Sequence, residues 1–111
     1  MTNEEAELAV LKSVDKVTNQ KSIAAEIGYS VGKVNYVING LIEKGLIKAE
    51  RFMNSKQKQK YKYLLTEQGF KEKVALTEKF IERKKKEYEE LRAELEKYEA
   101  AGEYVKAKGN A

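Results

Sequence analysis

From Phe70 to Tyr98, the residues Phe70, Val74, Thr77, Ile81, Lys84, Tyr88, Leu91, Leu95 and Tyr98 follow one another at alternating intervals of four and three. A strand sends every second side chain to the same face, so only a helix gathers this set into one stripe. Thr66 is placed to cap that helix, which can run to Ala100, with Gly102 ending it. At 1.5 Å per residue it is roughly 50 Å long, more than a core built from so short a chain can cover. Val74, Ile81, Tyr88 and Leu95 fall at one core position of a heptad, and Phe70, Thr77, Lys84, Leu91 and Tyr98 at the other. A solvated stripe of tyrosines and leucines is unfavourable, so the seam is expected to meet its own copy in a homodimer. Parallel pairing would set Glu87 against Arg92 and Lys73 against Glu78 favourably, but Glu94 against Glu99 unfavourably, so the orientation stays open. The bland alternative is a helix whose near half, through Phe80, packs on the preceding domain while the far half is a solvated extension. Lys84 lies on the seam, where a lysine lowers stability and can fix register or oligomer number. The basic cluster Arg83–Lys86 sits among Glu82, Glu87, Glu89 and Glu90 and reads as near-neutral helix surface.

Composition narrows the chemistry. The 111 residues include no proline, in keeping with uninterrupted helices, and no cysteine or histidine. Disulfides, thiol redox sensing, Cys/His zinc sites and imidazole catalysis are therefore excluded, and no carboxylate spacing suggests a magnesium or calcium site. No metal, cofactor or enzymatic activity is expected. Glu4, Glu5 and Glu7 near the N-terminus, with spaced apolar residues, do not make a signal peptide, and no run of about 18 apolar residues suggests a membrane span. A cytoplasmic protein is expected. The net charge of +4 is mild, and its meaning depends on where the charges lie.

Before the long helix, the pattern is helix, helix, helix and hairpin. Thr2 followed by Glu5 reads as a capping box opening a helix with Ala6, Val10, Leu11, Val14 and Val17 on its apolar stripe. Thr18 and Asn19 end it and cap a short second helix, Gln20–Ile27, that buries Ile23, Ala24 and Ile27. Gly28 allows a turn with positive φ, and Ser30 caps a third helix running to about Lys44 with Val34, Val37, Ile38, Leu41 and Ile42 inward. Gly45 stops it. Strands are expected at Leu46–Phe52 and Lys60–Leu65, joined by the polar, basic link Met53–Gln59. This order predicts a mainly α fold with a small β-hairpin. It comprises a winged helix-turn-helix domain over 2–65, a long coiled-coil-type dimerisation helix over 66–100 and a flexible tail over 101–111.

The stretch Gly28–Lys33 resembles a nucleotide-binding loop only superficially. Three residues instead of four separate its glycines, and Val34 follows Lys33 where a Ser or Thr would hold magnesium. Burial of the apolar stripe leaves Val31, Gly32, Lys33, Asn35, Tyr36, Asn39 and Gly40 on the outer face of the third helix. A plain solvated surface would carry several Glu and Lys, and Gly32 and Gly40 each weaken a helix by up to about 1 kcal/mol. Small residues admit a close partner, amides bond base edges, and a lysine beside a helix N-terminus suits phosphate. In the hairpin, Arg51, Lys56, Lys58, Lys60 and Lys62 occur with no acidic residue between Glu50 and Glu67, interleaved with Asn54, Ser55, Gln57 and Gln59. Such a basic wing suits contact with a nucleic-acid backbone.

Ser30 through Ile47 resembles the recognition helix of MarR-like winged-helix regulators, notably "LIEKGLI" at Leu41–Ile47. "YLLTEQGF" at Tyr63–Phe70 is similar to that group's third strand leading into the next helix. Lys71–Leu95 is similar to the small branch of exopolysaccharide-associated MarR-family regulators. "LIEKGLI" is shared by many winged helices, whereas the tyrosine-rich strand joined to Lys71–Leu95 is more specific. The resemblance implies a dimeric transcription factor near polysaccharide biosynthesis genes. It places Ser30, Gly32, Lys33, Asn35, Tyr36 and Asn39 in the major groove, and Arg51 and the lysines from Lys56 to Lys60 on the backbone. MarR proteins typically dimerise through helices from both chain ends and often hold phenolic ligands in the cleft so formed. Here only the C-terminal helix is present, so no small-molecule effector is expected.

The reading is thus a homodimeric, sequence-specific regulator on double-stranded DNA at a pseudo-palindromic operator. Asn54, Ser55 and the wing cations serve phosphate, and the third helix reads bases. An interaction adaptor and an RNA-binding module assembled by a coiled coil are the alternatives.

Overall fold

The computed structural model of the chain describes residues 3–14, 16–17 and 19–102. In order, the elements are α1 (Asn3–Val14), α2 (Gln20–Ile27), α3 (Val31–Glu43), β1 (Ile47–Met53), β2 (Gln59–Leu65) and α4 (Glu67–Ala100). The Thr2 half of the expected capping box, Thr18 and residues 103–111 of the expected tail lie outside the described residues. The chain divides into two compact units, Met1–Thr77 and Glu78–Ala111.

In the first unit, the three helices meet along the stripes their spacing predicts. Val10 and Leu11 of α1, Ile23 of α2, and Val34, Ile38 and Leu41 of α3 are fully buried, with Val14, Ala24, Leu46 and Ile47 completing the core around them. Each such aliphatic side chain contributes on the order of 1.5–3 kcal/mol relative to an exposed one. Val37, Ile42 and Ile27 are half-buried at the margin. α1 stops at Val14, three residues short of the expected Val17. The amides of Lys16 and Val17 both turn back to the Ser13 carbonyl at 2.9 Å, and Val17 packs on the core from beyond the helix.

Local chemistry sets the remaining helix ends. Asn19 Oδ1 accepts from the Ser22 amide at 2.8 Å to open α2. Gly28 closes it with φ of 76°, a left-handed conformation that lets its amide reach the Ala24 carbonyl at 2.9 Å. Ser30 Oγ then accepts from the Lys33 amide at 3.1 Å to open α3. The second and third helices and their capped turn form the helix-turn-helix.

β1 and β2 pair antiparallel, from Ile47 opposite Leu65 to Met53 opposite Gln59. β2 starts one residue earlier than expected, where Gln59 pairs with Met53, and β1 starts one residue later, because Leu46 still belongs to the end of α3. Its amide bonds the Leu41 carbonyl at 2.9 Å, while its own carbonyl accepts from Thr66 at 3.1 Å. Only the base of the hairpin is anchored: Ile47 is buried and Leu65 half-buried, whereas β1 beyond Glu50 and β2 before Tyr63 are exposed. α4 is capped by Thr66, whose Oγ1 accepts from the Gly69 amide at 2.9 Å and donates to the Gly45 carbonyl at 2.7 Å. Gly69 and Leu76 of α4 are buried, and Leu76 joins the core of the helices and hairpin. These first turns therefore belong to the winged domain.

In the second unit, nearly every α4 side chain is exposed. Arg83 and Phe80 are the half-buried exceptions within α4, the guanidinium lying 4.7 Å from the ring centroid. No helix among the described residues is long and apolar enough to cross a membrane.

Candidate nucleic-acid interface

Burial of Val34, Ile38 and Leu41 determines what α3 turns outward. Val31, Gly32, Lys33, Asn35, Tyr36 and Asn39 are exposed, and Tyr36 is 77% accessible, the most exposed large apolar residue among those described. No acidic residue occurs from Val31 to Ile42. A Cβ added to Gly32 or Gly40 would meet nothing within 4 Å, so neither glycine is required by packing in the chain. Lys33 Nζ lies 4.6 Å from the Tyr29 ring centroid, which holds its charge near the start of α3.

The amides of α3 are tied to one another and to the next layer. Gln20 Nε2, at the start of α2, donates to Asn35 Oδ1 at 2.9 Å and to the Tyr63 hydroxyl of β2 at 2.9 Å. Asn39 Nδ2 approaches the same Asn35 oxygen at 3.4 Å. Neither Gln20 nor Tyr63 was assigned to the site from the sequence. The available signal was the opening Asn19-Gln20-Lys21, where the first turn of α2 carries none of the acidic residues that favour a helix N-terminus.

The wing presents Arg51, Ser55, Lys56, Lys58, Lys60 and Lys62 to solvent. Arg51 lies over the exposed Tyr61 ring at 5.9 Å. At the base, Glu50 pairs with Lys48 at 3.4 Å, which leaves the cations further out without a carboxylate on the hairpin itself. Asn54 has a different local role from its neighbours. Its Oδ1 accepts from the amides of Lys56 at 3.0 Å and Lys58 at 2.9 Å, and its own amide bonds the Lys58 carbonyl at 3.1 Å. With Gln57 in the left-handed region at φ of 59°, Asn54 builds the turn that spaces Lys56 and Lys58. Gln20, Lys21, Asn35, Phe52, Lys60 and Tyr63 border one groove between α2, α3 and the hairpin.

Along the second unit of α4, Ile81, Tyr88, Leu91, Leu95 and Tyr98 are exposed at heptad spacing, with Lys84 among them. In the first unit, Phe70, Val74 and Thr77 are also exposed. The Thr77 hydroxyl donates to the Lys73 carbonyl at 2.7 Å, so its polar atom is already satisfied by its own helix.

Comparison of the whole chain with solved structures gives matches to the Staphylococcus aureus protein MepR. A glycine-to-lysine mutant of MepR aligns over 91% of this chain and 79% of its own, with a TM-score of 0.57 and 22% identity. The fold is that of MepR. MepR, described as a transcription regulator of the S. aureus multidrug efflux pump MepA, matches over 91% of this chain and 78% of its own at a TM-score of 0.55 and 20% identity. MepR in complex with DNA covers 86% of this chain and 77% of its own, at 0.56 and 23%. At this level of identity the MepR likeness is one of fold, and it agrees with the winged-helix architecture read from the sequence. Neither a family model nor a curated protein matches the sequence.

Proposed function

We propose that the chain is a sequence-specific, double-stranded DNA-binding transcription regulator that acts as a homodimer and catalyses no reaction. One observation carries this reading. From Val31 to Ile42 the outer side of α3 exposes small residues, amides, Lys33 and Tyr36 with no carboxylate before Glu43 in its last turn, beside a wing bearing Arg51, Lys56, Lys58, Lys60 and Lys62. Ser30, Gly32, Lys33, Asn35, Tyr36 and Asn39 are the candidates for major-groove contact, the last four with side chains suited to base edges. The wing cations and Ser55 are the candidates for phosphate contact, with Asn54 setting their spacing. Pairing along Phe70–Tyr98 would place two copies of α3 about 34 Å apart, in successive major grooves of a pseudo-palindrome.

The DNA complex known for MepR supports a duplex as the partner for this fold. The resemblance of Lys71–Leu95 to exopolysaccharide-associated regulators supports target genes in polysaccharide biosynthesis.

Duplex titration of the full chain at salt concentrations from about 50 to 200 mM tests the reading. Affinity is expected to fall linearly on a log–log scale. Joint replacement of Lys56, Lys58 and Lys60 by alanine is expected to weaken binding to every duplex and flatten the salt slope by about 0.9 for each phosphate no longer neutralised. Salt-insensitive or absent duplex binding would favour an interaction adaptor, and preference for single-stranded or hairpin RNA would favour an RNA-binding module. Either result overturns the proposal.

A further inference from the structure

We infer that Gln20 is a positioning residue that fixes the polarity of the Asn35 amide, so that Asn35 selects a G·C pair, through guanine O6 and N7, over an A·T pair. The inference rests on the proposed duplex binding and adds to it the chemistry of one contact.

An asparagine carboxamide has two faces, an oxygen that accepts two hydrogen bonds and a nitrogen that donates two. Presented edge-on, with both faces available, it pairs bidentately with adenine, accepting from N6 and donating to N7. Asn35 does not have both faces available. Its oxygen already accepts from Gln20 Nε2 at 2.9 Å and is approached by Asn39 Nδ2 at 3.4 Å, which fills its two acceptor sites. Gln20 is in turn held by its second bond, to the Tyr63 hydroxyl of β2 at 2.9 Å. The amide is therefore fixed from the direction of α2 and the hairpin, and Asn35 Nδ2 makes no hydrogen bond among the described residues. What an exposed Asn35 offers a base pair is a pair of donors.

Donors require acceptors opposite them. In the major groove, guanine presents O6 and N7, and thymine presents O4. Adenine presents N7 beside an N6 amino group that would face Nδ2 donor to donor, and thymine presents O4 alone, so only guanine offers two neighbouring acceptors to the two donors. Asn39 differs: its own carbonyl oxygen makes no hydrogen bond among the described residues, so it retains both faces and is not subject to this restriction.

The test is selection from a randomised duplex library with the full chain, comparing the wild type with Asn35→Ala. The position whose preference disappears in Asn35→Ala is the one Asn35 contacts. The wild type is expected to prefer a G·C pair there. Gln20→Glu removes the donor and supplies an acceptor, which turns the Asn35 amide over. The G·C preference at that position is then expected to fall, by on the order of tenfold. Asn35→Asp is a second route to the same inversion, since one carboxylate oxygen keeps the Gln20 bond and the other faces outward as an acceptor. Its small change on an exposed helix face leaves the fold testable by thermal unfolding. A role for Gln20 in stability alone would lower affinity without changing which base is chosen.

The inference is overturned if the wild type prefers an A·T pair at that position. It is overturned equally if Asn35→Ala changes no position, or if the folded Asn35→Asp keeps the G·C preference. In each of these cases salt-dependent duplex binding still stands. Absence of any duplex binding removes the proposed function, and the inference with it.

Discussion

The Cβ that Gly69 lacks would stand 2.0 Å from the main-chain oxygen of Leu46. This oxygen cannot retreat, because it accepts the Thr66 amide at 3.1 Å, where the hairpin passes into α4. Alanine normally improves a helix over glycine by about 0.5–1 kcal/mol. Here Gly69→Ala is expected instead to destabilise the domain by about 1–3 kcal/mol, because one backbone must move away from the other. Urea denaturation measures the difference, and a neutral or stabilising substitution would contradict the close approach.

Lys44, just past α3, donates to Glu7 of α1 at 2.8 Å. The hydrogen bond to Glu7 is the main cause holding the Lys44 ammonium above the usual lysine pKa; burial opposes it, and the charges of Glu7 and Glu72 add to it. A raised folded-state value means stability that is fully present below the ordinary lysine pKa and is lost as pH rises through the higher folded one. The Lys44 side chain is 56% exposed, so solvent screens the pair, and its contribution is expected to stay below about 1 kcal/mol. The stability difference between the wild type and Lys44→Met, followed by denaturant unfolding, should be flat from about pH 6 to 10 and shrink above that. A difference that grows with alkalinity would have the wrong sign.

Gly32 offers a test that separates folding from binding. A side chain there would meet nothing within 4 Å, so Gly32→Ala is expected to raise stability by about 0.5–1 kcal/mol. If α3 meets a duplex through this face, the same methyl group occupies space the partner needs. Duplex affinity is then expected to fall by on the order of 1–3 kcal/mol. Thermal melting and anisotropy titration together give the pair of signs. A gain in stability with unchanged affinity would place Gly32 outside the contact.

What could be read from the sequence was what is local in the chain. Asn19, Ser30 and Thr66 act three residues ahead, on the amides of Ser22, Lys33 and Gly69, and Gly28 adopts its conformation within one turn, so residue type and spacing sufficed. The buried stripe of α3 follows in the same way from its 3.6-residue period. Leu76 was missed because it lies off the Val74–Thr77 seam, and periodicity within one helix says nothing of a core built by other elements. The Gln20 relay spans 15 residues to Asn35 and 43 to Tyr63, and only the folded chain brings those amides together. Asn54 was grouped with the wing donors by composition, although the tendency of asparagine to bond amides just ahead of it already pointed to a turn.

The proposed self-association has its sharpest test in the second unit. Ile81 is 52% and Leu91 65% exposed in the single chain, and a partner helix that covered them would bury much of that surface. Replacing either by glutamate would set a carboxylate in the seam without disturbing the core that contains Leu76. Sedimentation at micromolar concentration is expected to show a wild-type dimer and predominantly monomeric Ile81→Glu and Leu91→Glu chains. The variants should also lose helicity, since most helical stability in proteins comes from packing of an apolar face. Lys84→Ile should act in the opposite direction, strengthening association and raising the melting temperature of the dimer at a given concentration, because a seam lysine is a polar interruption. A wild-type chain that sediments as a monomer, with or without duplex, would remove the basis for placing two recognition helices on one operator.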